Sequence, residues 1–155
     1  MGGTASLLVD LPGWVRSYMD AWNAHDPAAV AEHMTDDVVY IDLGVNERME
    51  GRAAVREFIA AIETKFSSDY RFDFSGALVD GDSYATEWTM SGTNDGADPE
   101  LGLPATGHRF AIPGVSIGRC RDGKLAENRD YYNLAGYLMQ IGVMPAPGAA
   151  APAGT

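Results

Sequence analysis

The chain has 155 residues, 46% of them apolar and 21% charged, enough for one domain with a full core. Twenty-two acidic residues oppose 11 basic ones, a net charge of −11, which repels phosphate backbones and anionic lipid and excludes nucleic acid and membrane surfaces as partners. The single cysteine, Cys120, rules out an intrachain disulfide and a cysteine-cluster metal site, and the three histidines lack ligand spacing, so no metal is expected.

Residues 1–9 are small and mixed, and a flexible N-terminus is expected there. No basic region followed by an apolar run marks a leader, and no run approaches the roughly 20 apolar residues of a membrane span, so a cytoplasmic location is expected. The single domain is expected over 10–144. Asp10 and Pro12 can open a first helix, in which Trp14, Val15, Tyr18, Met19 and Trp22 recur at helical spacing. Asp26-Pro27 has the cap-then-proline order that opens a second, short helix to Met34. Thr35-Asp36-Asp37 reads as a break, and Val38 to Asp42 as a strand. A polar loop with Gly44, Asn46 and Gly51 follows. The third helix runs from Arg52 to Phe66, burying Val55, Phe58, Ile59, Ile62 and Phe66.

From Arg71 the period changes to two. Arg71 to Val79 leads into the turn Asp80-Gly81-Asp82, and Tyr84, Thr86, Trp88 and Met90 share one face of the next strand. Residues 92–107 hold four glycines and two prolines and read as a long loop, a feature that is usually functional or mobile. His108 to Arg121 is a strand in which Pro113-Gly114 suggests a bulge or bend. Asp122-Gly123 suits a tight hairpin. The last strand then places Ala126, Asn128, Asp130 and Tyr132 on one face and Glu127, Arg129 and Tyr131 on the other. Glu127 and Arg129 can pair on a wet face, which turns Asp130 inward. Leu134 to Val143 forms a terminal helix, and the Ala/Gly/Pro tail from 145 to 155 is expected to be disordered. Helices first and hairpin-linked strands after define an α+β domain whose curved antiparallel sheet carries helices over its concave side.

This order, together with Tyr18-Met19-Asp20-Ala21-Trp22-Asn23-Ala24-His25-Asp26, Gly51-Arg52-Ala53-Ala54-Val55 and the Arg129-Asp130-Tyr131-Tyr132 segment, resembles the cone-shaped nuclear transport factor 2-like fold. Within that superfamily the chain is most similar to the SnoaL-like polyketide cyclases. The resemblance implies a deep apolar pocket, a hydrophobic small-molecule substrate, a homodimer, and an intramolecular aldol closure run by an aspartate without metal or cofactor. The last strand also resembles limonene epoxide hydrolases, whose Asp-Arg-Asp set falls here on Asp130, Trp88 and Met90, so two of its members are not ionisable. Many cyclases carry Asp where this chain has Asn133.

Asp130 is therefore the candidate acid/base, the alternative being a structural aspartate held by hydrogen bonds. Strand parity with Ile112 places His108 at the rim as a candidate donor; a plain surface histidine is the alternative. Tyr40 and Asp42 lie two apart on one strand face, and Asp42 would give a second carboxylate near the first; the alternative is a solvated loop start. Met19, Trp22, Phe58, Ile62, Phe66, Trp88, Met90 and Ile112 are candidate substrate contacts, joined by Asn128, Tyr132 and Asn133. An isomerase running the related enolisation, an epoxide-opening enzyme and a non-catalytic binder of an apolar molecule remain alternatives to the aldol cyclase.

Overall fold

A computed structural model describes residues 13–149. The expected Asp10 cap, Pro12, the flexible 1–9 segment and the end of the tail lie outside that span. Residues 145–149 are exposed and carry no helix or strand.

Two helices, two strands and a third helix come first. Helix α1 (Gly13–Asn23) buries Val15, Tyr18, Met19, Ala21 and Trp22. Helix α2 (Pro27–Glu32) starts where the sequence signals it, with the Asp26 carboxylate accepting from the Ala29 amide at 3.0 Å. Strand β1 (Met34–Asp42) begins four residues earlier than the β-branched run predicts: Met34, at 0% exposure, belongs to it, and Thr35-Asp36-Asp37 is strand rather than a break. The loop after β1 contains an unexpected strand β2 (Glu47–Glu50), paired antiparallel to β1. Helix α3 (Arg52–Lys65) follows, with Val55 and Ile59 buried.

Strands β3 (Arg71–Asp80), β4 (Ser83–Thr93), β5 (Arg109–Arg121) and β6 (Lys124–Tyr132), then helix α4 (Leu134–Gln140), complete the chain. The Asp122-Gly123 turn takes φ of 52° and 76°, as a two-residue hairpin between right-twisted strands demands. Among the described residues, no helix is long and apolar enough to cross a membrane.

The six strands form one curved sheet in the order β2-β1-β6-β5-β4-β3. The expected all-antiparallel sheet is corrected at one joint: β1 pairs parallel to β6. Chain order explains this, because one helix and four strands separate the first strand from the last strand beside which it lies. Pro113 and Gly114 do not bulge. The β4–β5 register runs unbroken through Thr89↔Pro113 and Trp88↔Gly114, and the β5 irregularity falls at Arg119/Cys120 against β6. Gly114 serves a different purpose. A Cβ there would lie 2.2 Å from the Trp88 ring, and one at Gly118 would lie 2.4 Å from the Tyr84 ring. Bare backbone at these two positions lets both β4 aromatics lie across β5 toward β6.

Register then brings residues from distant parts of the chain into parallel rows. One row is Tyr40, Asn128, Gly118 and Tyr84; the next is Asp42, Asp130, Ser116 and Thr86. Both rows run across β1, β6, β5 and β4 near the middle of the sheet.

Candidate active site

Between the sheet and helices α1 and α3 lies a cavity of about 390 Å³. Its walls are mainly aromatic and aliphatic: Trp22, Phe58, Ile62 and Phe66 from the helices, and Phe72, Phe74, Trp88, Met90 and Ile112 from the sheet. Phe72 joins the two sides, edge-on to Trp22 at 5.4 Å and to Trp88 at 5.2 Å between ring centroids. The loop between β4 and β5 supplies Leu101 and Leu103 to the lining, and is held by the Asp98↔Leu103 bridge and by Asn94, whose side chain accepts from the Thr106 amide at 2.8 Å. The lining also carries Glu47, Glu57, Asp98 and Glu100; among the described residues Lys65 is its one cation, 3.6 Å from Glu100.

Asp130 opens on this cavity and is only 9% exposed. The face assignment of β6 holds: Asn128 and Asp130 are buried inward, Tyr131 is exposed, and Arg129 pairs outward with Glu127. Three donors meet the Asp130 carboxyl. Ser116 Oγ donates to Oδ1 at 2.6 Å and Asn128 Nδ2 donates to the same oxygen at 2.8 Å, while the Tyr40 hydroxyl donates to Oδ2. Behind them stand two more groups. The Trp88 indole donates to Ser116 Oγ at 2.9 Å, and the Tyr84 hydroxyl donates to Asn128 Oδ1.

Burial pushes the Asp130 pKa up to about 6; the Ser116, Tyr40 and Asn128 hydrogen bonds pull it down, and the Asp42 charge adds to the rise. Asp42 is itself buried and its pKa is raised, chiefly by desolvation. Its Oδ1 accepts from the Gly44 and Val45 amides at 2.9 and 3.2 Å, and its Oδ2 accepts from the Tyr132 hydroxyl at 3.2 Å. Burial also holds the Tyr40 phenol well above its ordinary pKa, with the Asp130 charge adding to it, so Tyr40 stays a hydrogen-bond donor.

Tyr40, Asp42 and Asp130 thus converge, and Trp22, Phe58, Ile62, Phe66, Trp88, Met90, Ile112 and Tyr132 all line the cavity. Four expected residues stand elsewhere. His108 is exposed and outside the lining, because β5 starts at Arg109 and strand parity does not extend past the end of the ladder. Asn133 is exposed and caps α4, its side chain accepting from the Gly136 amide at 2.9 Å. Met19 is buried beside the lining rather than in it, Tyr18 and Trp22 being the α1 residues that face the cavity. Asn128 is also absent from the lining, and acts on Asp130 instead. Nothing in the sequence marks Ser116 or Tyr84; only the cross-strand register reveals them. Among the described residues, no group of three His, Cys, Asp or Glu is placed to hold a metal ion.

A curved sheet covered by helices over a cavity is the architecture of the ketosteroid isomerase-like fold. A solved protein of ketosteroid isomerase-like fold from Catenulispora acidiphila DSM 44928, in complex with trimethylamine, superposes with a TM-score of 0.74 at 22% identity, over 86% of this chain and 95% of that one. The SnoaL-like domain pattern matches residues 15–128, and the chain belongs to that family. Aklanonic acid methyl ester cyclase DauD of Streptomyces sp. (strain C5) is 26% identical over 131 residues, 83% of this chain and 79% of DauD. Aklanonic acid methyl ester cyclase DnrD of Streptomyces peucetius is 25% identical, over 83% of this chain and 88% of DnrD. This is a SnoaL-like protein of the polyketide cyclase kind, and an enzyme.

Proposed function

We propose that the chain is a cofactor-independent cyclase that closes a ring in a hydrophobic, polyketide-like molecule by an intramolecular aldol step. The observation that carries this is a buried carboxyl, with its pKa raised to about 6, facing a 390 Å³ apolar cavity. A base poised near the working pH is what proton removal beside a carbonyl needs. Asp130 takes that proton, the enolate carbon attacks a second carbonyl of the same molecule, and Asp130 returns the proton to the new alkoxide. Tyr40, Asp42 and Tyr132 orient oxygen atoms. Trp22, Phe58, Phe72 and Trp88 hold the rings.

Aklanonic acid methyl ester, named in both curated relatives, is the first compound to try. An isomeric product of unchanged mass, lost in Asp130→Asn with binding retained, is expected. A product heavier by one water would indicate epoxide or other hydrolysis, and binding without turnover in either protein would leave a carrier. The proposal extends to a cytoplasmic homodimer joined by the outer sheet face, where Ile117 and Tyr131 are exposed; a monomeric mass in solution would count against the dimer.

A further inference from the structure

The three hydrogen bonds to Asp130 are not equivalent. An indole N–H can only donate, so Ser116 Oγ must accept from Trp88 and has a single proton left, which goes to Asp130 Oδ1. Asn128 must turn its amide NH2 toward the carboxylate, so its carbonyl oxygen faces Tyr84, and the Tyr84 hydroxyl must donate. Oδ1 therefore receives two donors, and neither can reverse. Oδ2 receives only the Tyr40 hydroxyl, a group able to donate or accept.

We infer that Tyr84 and Ser116 are positioning residues that reserve Oδ1 of Asp130 as a fixed acceptor, so that the proton is held on Oδ2 and Tyr40 turns its own hydroxyl proton toward the substrate oxygen. A proton on Oδ1 would confront two hydrogens already there. On Oδ2 it displaces one hydrogen bond: Oδ2–H donates to Tyr40, whose own proton is released toward the cavity that Tyr40 lines. The balance is simple. The substrate C–H bond breaks, its proton goes to Oδ2, and its electron pair stays on the substrate as an enolate. Tyr40 keeps its proton and donates a hydrogen bond to the enolate oxygen, as a preorganised donor in a dry site should. Return of the proton to the product reverses each movement. The catalytic half of this rests on Asp130 being the base proposed above; the location of the proton does not.

The titratable groups that act on Asp130 or on its network are Tyr40 and Asp42 from β1, Tyr18 from α1, Tyr84 from β4, Cys120 from β5, and Arg129 and Tyr132 from β6. Glu47 from β2, Glu57 and Lys65 from α3, and Asp98 and Glu100 from the loop between β4 and β5 share the cavity. Of these side chains, Tyr40 is the one hydrogen-bonded to the carboxyl itself. Tyr84 does not line the cavity, so its removal leaves the substrate walls intact.

The test is a pH titration, from about 4.5 to 8, of the whole ligand-free chain carrying tyrosine labelled with 13C at Cζ, with Tyr40→Phe and Tyr84→Phe assigning the two resonances. The Tyr40 resonance is expected to move with the midpoint of Asp130 while that of Tyr84 stays still. In Ser116→Ala, read through Tyr40, the midpoint rises by about one pH unit, since a donor to a charged oxygen is lost; Ser116→Thr, which keeps the hydroxyl, returns it. Tyr84→Phe shifts it the same way by less. Movement of Tyr84 with a motionless Tyr40, or an unchanged midpoint in Ser116→Ala, would overturn the inference. No substrate is used, so this result stands apart from whether Asp130→Asn loses turnover.

Discussion

Two aspartates in this protein collect similar sets of hydrogen bonds and are driven in opposite directions. Asp69, just before β3, accepts from the Thr93 amide at 2.7 Å, the Thr93 hydroxyl at 2.9 Å, Ser67 at 3.0 Å and Arg109 at 3.0 Å. Its side chain is about half exposed, and its pKa is lowered, first by the Thr93 amide. Asp130 accepts from Ser116, Asn128 and Tyr40, yet its pKa rises to about 6 because burial outweighs all three. Donors stabilise a carboxylate wherever they are; here the removal of water is the largest cause that makes Asp130 a base near neutrality. An arginine also faces Asp69, whereas the charge that acts on Asp130 is the Asp42 carboxylate, of like sign.

Asp130 and Asp69 should differ most in turnover. Asp130→Asn should lower kcat by about 10²–10⁴-fold, the usual share of a positioned acid/base, while Asp69→Asn should leave it near wild type. Steady-state rates on the same substrate check this, and equal losses would mean that burial is not what distinguishes the two.

Stability against pH separates them next. Asp130 has a folded pKa above the unfolded 3.8, so its favourable protonated form is fully present below about pH 4 and is lost as pH rises through about 6. Relative to Asp130→Asn, wild type should lose about 3 kcal/mol between pH 4 and 7, two pKa units' worth. Asp69 has the opposite sign: its contribution is present above the unfolded pKa and disappears as pH falls through the lowered folded value. Denaturant unfolding at several pH values measures both slopes.

Packing under the network gives a smaller effect. Gly118→Ala sets a Cβ 2.4 Å from the Tyr84 ring and 2.3 Å from the Glu127 carbonyl oxygen, the latter being backbone that cannot turn aside. Destabilisation of about 1–3 kcal/mol is expected, with the Asp130 midpoint moving as Tyr84 is displaced from Asn128. The smallest effect belongs to Asn133→Ala. Loss of the α4 cap should cost about 1 kcal/mol by thermal melts, with no change in the Asp130 midpoint, because this side chain bonds to Gly136 and not to the site.

Period-two alternation was enough to turn Asn128, Asp130 and Tyr132 inward, and helical spacing was enough to find Trp22, Phe58 and Ile62. The family's motifs supplied the fold. Other features were beyond local patterns. Tyr40 and Asp130 are 90 residues apart and meet only because β1 runs parallel to β6. Ser116 looks like any strand serine until the register sets it beside Asp130. Gly114 and Gly118 read as weak points in a strand, while their use is to seat Trp88 and Tyr84. His108 misled because alternation was carried one residue past the start of β5, and Asn133 because a helix cap and a pocket residue look alike in sequence when the strand end is not known.

Water is kept from the Asp130 carboxyl strongly enough to overcome three donors. A 13C titration of the aspartate side-chain carboxyl carbons, with Asp130→Asn identifying the resonance, measures this directly. A midpoint of about 6 is predicted. A midpoint at or below the ordinary 3.8 would show the donors winning, and would contradict the assignment of Asp130 as the base.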